Sequence, residues 1–253
     1  MTVMPRMHRL HIEAAKAIAT QARTSLPRSI LDASGRALYS PAGTLTSGSP
    51  VYFLGLNPGE FAGKAEFHDL LTVEKDLDRL EADQIDLHGY LDERWKGYAP
   101  GCAPIQVRGQ QLFGILAGGD LDAGKTLLRS TPTSNLVLRR STSEALLKEA
   151  TNEKAVDLAQ QCWPFHKAVI RETNCKVVLT HAVGIARALA RAQGLGEGWQ
   201  RPSGWGGALS TLYAWVLPGG QRLLAIPNLS RYDPGGARVN PLASFFQEFG
   251  PAA

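Results

Sequence analysis

The sequence predicts a single α/β domain in three layers, with helices on both faces of a mostly parallel four-stranded sheet. Strand-like apolar segments alternate along the chain with segments of helical periodicity, and no internal repeat or long linker interrupts them. The 253 residues, 44% of them hydrophobic, are enough to build one core of this kind. We expect residues 1–48 to form an N-terminal helix and turn-rich extension, and residues 49–253 to form the α/β domain.

The first half of the chain contains a helix, a strand and two further helical segments. Apolar residues at helical spacing predict a helix over 8–25, and an apolar run predicts a strand over 51–54. Residues 66–93 are rich in acidic side chains and are interpreted as a helical excursion. Residues 106–119 have helical spacing and end in glycines, as helices commonly do.

The second half supplies the remaining strands and helices. Pro164 lies inside a helical pattern, so that helix is expected to be kinked or divided in two. A hairpin is predicted around Pro218, and its second strand ends abruptly at "PNLSRYDPGG". In order, the predicted elements are a strand (134–141), a helix (152–174), a strand (176–180), a helix (184–193), a hairpin whose second strand is 222–226, and a last helix in "NPLASFFQEFG".

Charged residues are unevenly distributed along the chain. The net charge is +4 and the isoelectric point is about 9.0, but acidic residues are concentrated in 66–93 while most arginines lie elsewhere. Two interpretations are open. The charges belong to solvated helix faces, or they form a basic face for a phosphate backbone, with the acidic segment turned away from it.

Cysteine content and the N-terminal sequence bear on the cellular compartment. Cys102, Cys162 and Cys175 are an odd number without a C-x-x-C pair, which argues against a disulfide framework or a zinc knuckle. The basic N-terminus has no apolar core behind it, and no run approaches the length of a membrane span. We therefore expect a cytoplasmic protein without a metal site.

Three of the predicted strands end in a loop that carries an asparagine. These residues are Asn57, Asn135 and Asn228. Since ligands of parallel sheets bind at the carboxyl ends of the strands, three carboxamides there would form a pocket that reads a heterocycle through paired donors and acceptors. The alternative is ordinary turn chemistry at each position. His181 also follows a strand, but we interpret it as a structural histidine.

Residues 119–126, "GDLDAGKT", fit the phosphate-binding P-loop pattern. A functional P-loop requires a buried strand before it and a helix beginning at Lys125. Here the preceding segment has helical spacing, Pro132 follows closely, and two acidic residues would face the phosphates. The sequence context therefore argues against a P-loop phosphotransferase, which stays an alternative function.

Several motifs resemble those of the uracil-DNA glycosylase superfamily. "GLNPG" after an apolar strand resembles the first motif, in the version of the mismatch-specific uracil/thymine and single-strand-selective monofunctional branches, where Asn fills the catalytic position. "TSNLVLRRS" resembles the strand whose Asn reads the base. "CWPFHKAVIRETNCKVVLTHAVGIARALA" resembles the helix-strand-helix that follows. "LLAIPNLSRY" takes the place of the second motif, although Leu229 replaces its Pro and Asn228 its usual His.

The resemblance implies a role for each of these residues. Asn57 would position the water and Asn228 would support the leaving base. The base would be held by Gly55, Leu56, Pro58, Gly59, Phe61, Phe67 and Asn135, with Phe67 preferred to Phe61 as the stacking ring. On the DNA side, Ser230 would bind phosphate, and Arg231 and Tyr232 would fill the gap left by the flipped base. The family's iron–sulfur branches need four cysteines, so no cofactor is expected here.

These observations favour a monofunctional DNA glycosylase that excises uracil or a related deaminated or damaged base. Its partner would be DNA, with no membrane contact, and we expect a monomer. Because neither Asn57 nor Asn228 titrates, we expect a slow enzyme that is helped by weakened base pairs, or one specialised for another deaminated or alkylated base. The alternative is a catalytically weak or inactive relative that binds nucleic acid or a nucleobase without cleavage.

Overall fold

The fold is built on one six-stranded mixed sheet in the order β2-β1-β3-β6-β5-β4. A computed structural model describes residues 6–57, 71–95, 97–141, 144–207, 210–236 and 239–251. Its strands are β1 (Val51–Gly55), β2 (Thr133–Asn135), β3 (Val177–Thr180), β4 (Trp199–Pro202), β5 (Thr211–Val216) and β6 (Arg222–Ala225). The four neighbouring strands β2, β1, β3 and β6 run parallel, whereas β5 and β4 are antiparallel additions beyond β6.

Nine helices accompany the sheet in the described part of the chain. They are α1 (Arg6–Ser25), α2 (Arg28–Leu31), α3 (Val73–Glu81), α4 (Pro104–Leu116), α5 (Leu121–Arg129), α6 (Glu144–Thr151), α7 (Ala155–Thr173), α8 (Val183–Ala192) and α9 (Val239–Phe249). A short 3-10 helix covers Ala42–Thr46. Among the described helices, none combines the length and apolar composition that crossing a membrane requires.

The predicted strand number is wrong, although the α/β class is correct. The sequence indicates four mostly parallel strands, and the sheet has six of mixed direction. The hairpin predicted around Pro218 is present, and it pairs β5 with β6. Strand β4 has no recognisable pattern because its sequence, "WQRP", lacks apolar alternation and all four residues are exposed.

Side chains of β1 alternate between two cores on opposite faces of the sheet. Val51 and Phe53 face a core formed with α4, α5 and α9. Tyr52 and Leu54 face the other core, formed with α1, α3, α7 and α8. Because successive residues of a strand point to opposite faces, a run of five buried residues requires helices on both sides. The apolar character of β1 thus accounts for the layered arrangement.

Helix α1 packs in the same core as Tyr52 and Leu54. Its buried residues Ala15, Ile18, Ala19 and Ala22 recur at helical spacing and are fully inaccessible. Outside this face, the Arg23 guanidinium forms ion pairs of 2.7–2.9 Å with Glu74, Asp78 and Glu81 of the α3 region. Several charges of the acidic segment are therefore used to fix α1 on α3.

Helix α7 excludes one of the two alternatives expected at Pro164, the division into two helices. It runs unbroken from Ala155 to Thr173, with Pro164 inside it. Its buried face continues on both sides of the proline, through Cys162 and Phe165. Packing of this face compensates for the backbone hydrogen bond that proline removes. The helix ends at Asn174, which adopts the left-handed conformation common at helix C-termini.

Three histidines are held neutral inside the protein. Burial lowers the pKa of His88, His166 and His181 to about 4 in each case. His166 is the clearest example, because its Nδ1 lies 2.8 Å from the Tyr52 hydroxyl and its Nε2 lies 3.2 Å from the Leu136 carbonyl oxygen. Folding therefore favours the uncharged ring at all three positions.

This burial predicts loss of stability in mild acid. Since the folded-state pKa lies below the ordinary value of 6.5, the stabilisation is complete above about pH 6.5 and is lost as the pH falls towards about 4. We expect each histidine to cost about 2 kcal/mol of unfolding free energy between about pH 7.5 and about pH 5. Urea unfolding at both values measures the change. In His166→Gln the loss of unfolding free energy between the two pH values should be smaller than in the wild-type protein by about 2 kcal/mol. A loss equal to that of the wild-type protein would contradict the low pKa of His166.

Candidate functional site

An open crevice lies at the carboxyl ends of the four parallel strands. Asn57 follows β1, Asn135 ends β2, His181 follows β3 and Asn228 follows β6, and all four residues line this crevice. The register explains the convergence, since Gly55 of β1 is paired with Asn135 and Leu54 with Thr180. The sheet therefore brings polar groups from distant parts of the chain to one place.

Asn57 is oriented by a backbone carbonyl. Its Nδ2 donates to the Ser141 carbonyl oxygen at 2.6 Å, and the residue is half-buried. This bond determines which end of the carboxamide is the donor. The oxygen is the acceptor end, and a carboxamide oxygen has two lone pairs. Asn57 is thus arranged to accept a hydrogen bond at the end of β1.

Asn135 lies directly against the backbone of Gly55. Its carboxamide is nearly buried and makes no hydrogen bond with the described residues, so both its donor and its acceptor are available to a ligand. A methyl group at Gly55 would overlap Asn135 Oδ1, and it would also come within 3.4 Å of His181 Nε2. The absence of a side chain at Gly55 is what admits Asn135 to the crevice.

Asn228 presents the opposite end of its carboxamide. Its Oδ1 accepts from the Ser230 backbone N–H at 2.9 Å, which leaves the amino group as the donor towards the crevice. The loop is fixed from outside by Arg108, whose Nη1 donates to the carbonyl oxygens of Leu229 and Ser230 at 2.8 Å each. Leu229 is fully buried, so it anchors this loop in the core.

His181 has a more prominent place in the crevice than its interpretation as a structural histidine implies. Its Nε2 lies 3.1 Å from the hydroxyl of Tyr90, and its Nδ1 is buried without a hydrogen-bond partner among the described residues. The low pKa of about 4 results from burial, against which hydrogen bonding to its own backbone and, to a smaller extent, to the Asn228 side chain acts in the raising direction. The sequence signal for His181 is its place after β3, but no pattern identifies Tyr90 as its partner.

Aromatic and charged side chains form another wall of the crevice. Trp95 lies against Tyr39 and Tyr90, with ring centroids 6.4 Å and 5.4 Å apart. Glu93 accepts from Trp95 Nε1 at 2.9 Å and pairs with Arg36 at 2.6 Å. These five residues lie on irregular segments, where no periodicity indicates which side chains will meet. Sequence patterns therefore do not predict this wall.

The remaining predicted base-binding residues divide into two groups. Leu56 is half-buried and lines the crevice beside Asn57. Pro58, Gly59, Phe61 and Phe67 lie outside the described residues. Their predicted roles, including stacking by Phe67, therefore stay predictions.

The predicted DNA contacts need one correction. Ser230 and Arg231 are exposed and line the crevice. Tyr232, which is expected from the sequence to enter the gap left by a flipped base, is fully buried. Its ring lies 5.5 Å from that of Trp205, and its position in the core excludes it from contact with DNA in this arrangement. A position after the loop does not reveal that the side chain turns inwards.

Three cations around the crevice are available to an anionic ligand. Arg94, Lys154 and Arg231 are exposed and form no ion pair with other described residues. Two neighbouring acids are paired, since Asp92 binds Arg129 at 3.1 Å and Glu93 binds Arg36. The electrostatic field at the mouth of the crevice therefore has a positive contribution from these three side chains.

The P-loop interpretation is contradicted by its structural context. Helix α4 precedes the segment instead of a strand, and Lys125 does not line the crevice. The Asp120 carboxylate accepts from the backbone N–H groups of Asp122 and Ala123, which are amides that a phosphate would need. Gly124 is packed against the backbone of Gly114. The segment is the N-cap and the first turns of helix α5, which packs against α4.

Comparisons with known proteins add no assignment. No protein-family model matches the chain, and no curated protein matches it significantly. Within the described residues, no group of three or more His, Cys, Asp or Glu side chains is placed to hold a metal ion.

The contact between Gly55 and Asn135 generates a prediction about packing. We expect Gly55→Ala to destabilise the protein by about 1–3 kcal/mol, because the added methyl group overlaps the Asn135 carboxamide in a closely packed region. Urea unfolding measures the change. Gly184→Ala is the matched control, since Gly184 also lines the crevice but has open space around it. Equal stability of the two variants would refute the proposed overlap.

Proposed function

We propose that the protein is a monofunctional DNA glycosylase that hydrolyses the N-glycosidic bond of uracil or a related altered base. The observation that carries the proposal is the set of three differently oriented carboxamides around one crevice, at the ends of β1, β2 and β6. The order of the motifs along the chain resembles that of the uracil-DNA glycosylase superfamily. The resemblance supports the same assignment of roles.

Asn135 is proposed to read the base. Uracil presents an acceptor, O4, next to a donor, the N3–H group. A carboxamide complements this pair with one donor and one acceptor, and both are available on Asn135. Because Asn135 is nearly buried, a base that mismatched it would leave polar groups unpaired away from water, which penalises the wrong base strongly.

Asn57 is proposed to hold the attacking water. Its carbonyl oxygen can accept a hydrogen bond from that water, while its amino group is engaged with Ser141. A carboxamide has no useful basicity, so it orients the water without removing its proton. This role suits a reaction in which the bond to the base is largely broken before the water attacks the sugar.

Asn228 is proposed to stabilise the departing base. Negative charge develops on the O2 atom of uracil as the glycosidic bond breaks, and a fixed N–H donor there stabilises it. The Asn228 amino group is such a donor, because its carboxamide oxygen is held by Ser230. A neutral donor gives less stabilisation than a charged one, which agrees with the slow reaction expected from the sequence.

Binding without cleavage is the second candidate. It is favoured by the engagement of three acids of the crevice, since Asp76, Asp92 and Glu93 all form ion pairs. This leaves the exposed Asp86 as the other described carboxylate that lines the crevice. Such a protein would recognise an altered base through the same carboxamides. It would differ from the glycosylase in releasing no free base.

Base excision provides the direct test. Oligonucleotides with a single uracil, hypoxanthine or mismatched thymine, single- and double-stranded, are incubated with the protein and then cleaved by alkali at abasic sites. We expect strand cleavage for at least one substrate, and a decrease of about 100-fold or more in Asn57→Ala. Lys125→Ala is the control, because Lys125 lies outside the crevice. Tight binding without cleavage would favour the second candidate, and equal activity of Asn57→Ala would reject the role of Asn57.

DNA binding itself makes a separate prediction. Arg231→Ala should reduce the slope of log affinity against log salt by about one, because one phosphate contact is lost. Lys167→Ala is the control, since Lys167 is an exposed cation on α7 away from the crevice. The measurement is fluorescence anisotropy with an oligonucleotide that carries a stable abasic analogue. Identical slopes for both variants would remove Arg231 from the DNA interface.

A further inference from the structure

Three neighbouring polar side chains line the crevice and form a series of possible hydrogen-bond partners: Tyr90, His181 and Asn228. The Tyr90 hydroxyl lies 3.1 Å from His181 Nε2, and His181 is almost completely buried. The other ring nitrogen, Nδ1, has no hydrogen-bond partner among the described residues, although it is inaccessible to water. A buried polar atom without a partner is costly, so one in a crevice suggests that its partner arrives when the crevice is occupied.

Asn228 is suited to be that partner. Its side chain lies near enough to raise the pKa of His181 by hydrogen bonding, although Nδ1 makes no hydrogen bond of acceptable geometry, and both residues line the same crevice. The Asn228 carboxamide oxygen accepts one hydrogen bond, from the Ser230 N–H, and has a second lone pair to offer. A small rotation of the side chain would direct this lone pair towards a protonated Nδ1.

The tautomer of His181 follows from its neighbours. Its low pKa keeps the ring neutral, so only one of the two nitrogens carries a proton. If the Tyr90 hydroxyl donates to Nε2, the proton must be on Nδ1. Tyr90 has no other side-chain partner for its hydroxyl among the described residues, so its proton is free to be donated to His181.

We propose that His181 is a positioning residue for Asn228: with Tyr90 donating to Nε2, the Nδ1–H group of His181 donates to the Asn228 carboxamide oxygen when a base occupies the crevice. The proposal rests on the glycosylase function proposed above. Two donors, Ser230 N–H and His181 Nδ1–H, would then hold the Asn228 oxygen. The amino group is thereby directed to the leaving base, and a flipped carboxamide, which would present an acceptor to the developing anion, is excluded.

The tautomer is measured without any turnover. Imidazole nitrogen chemical shifts of the ¹⁵N-labelled protein distinguish a ring protonated on Nδ1 from one protonated on Nε2, and comparison with His181→Asn assigns the resonance. We expect the Nδ1–H tautomer, with a change in its shift when an oligonucleotide carrying an abasic analogue and free uracil are added. An Nε2–H tautomer in the complex would overturn the proposal, whether or not the protein cleaves DNA.

Two substitutions separate positioning from packing. The amide nitrogen of Asn can replace the Nδ1–H donor of His, whereas the amide of Gln reaches the place of Nε2. We expect His181→Asn to retain most of the excision rate and His181→Gln to lose about tenfold in kcat with KM unchanged, because one hydrogen bond to Asn228 is lost. Thermal unfolding confirms that both variants are folded.

Tyr90→Phe tests the other end of the series. Without the hydroxyl, Nε2 loses its donor, and we expect a mixture of tautomers together with a smaller loss of kcat than in His181→Gln. Equal losses in His181→Asn and His181→Gln would show that only ring packing matters. Lack of excision by the wild-type protein would reject the proposed function. The tautomer measurement would still decide whether His181 donates from Nδ1 to Asn228.

Discussion

The close approach of Asn135 to the backbone of Gly55 is the constraint on which the crevice depends. Parallel pairing of β1 with β2 puts the two residues side by side, and only a residue without a side chain leaves room for the carboxamide. The same strand end carries Asn57 and lies beside His181. A shift of one residue in this register would send Asn135 to the opposite face of the sheet and dismantle the pocket.

Two of the carboxamides that flank the crevice are oriented by hydrogen bonds with backbone atoms. Ser141 fixes the donor end of Asn57, and the Ser230 amide fixes the acceptor end of Asn228. Backbone groups do not titrate, so this arrangement is insensitive to pH near neutrality. Under the proposed function, the protein would recognise a neutral heterocycle with neutral groups, and the exposed cations Arg94, Lys154 and Arg231 would contact the surrounding phosphates.

Local patterns predict more of the fold than of the site. Apolar runs such as 51–54 and 176–180 identify β1 and β3, because a short continuous apolar run indicates a strand that is buried on both faces. The exposed strand β4 carries no such signal. In the site, the position of an Asn after a strand is visible in the sequence, but the pairing of His181 with Tyr90 joins residues 91 positions apart. Only the folded chain brings such partners together.

Leu229 explains how the loop after β6 differs from one suited to enter a duplex. Its side chain is fully buried, Tyr232 follows it into the core, and Arg108 holds the carbonyl groups of Leu229 and Ser230. A loop anchored in this way positions Asn228 accurately, but it has little apolar surface left to insert between bases. The contacts that position Asn228 therefore bury the apolar side chains that insertion between bases would need. Under the proposed function, this loop favours bases that already leave their stack at low cost, as mismatched or unpaired bases do.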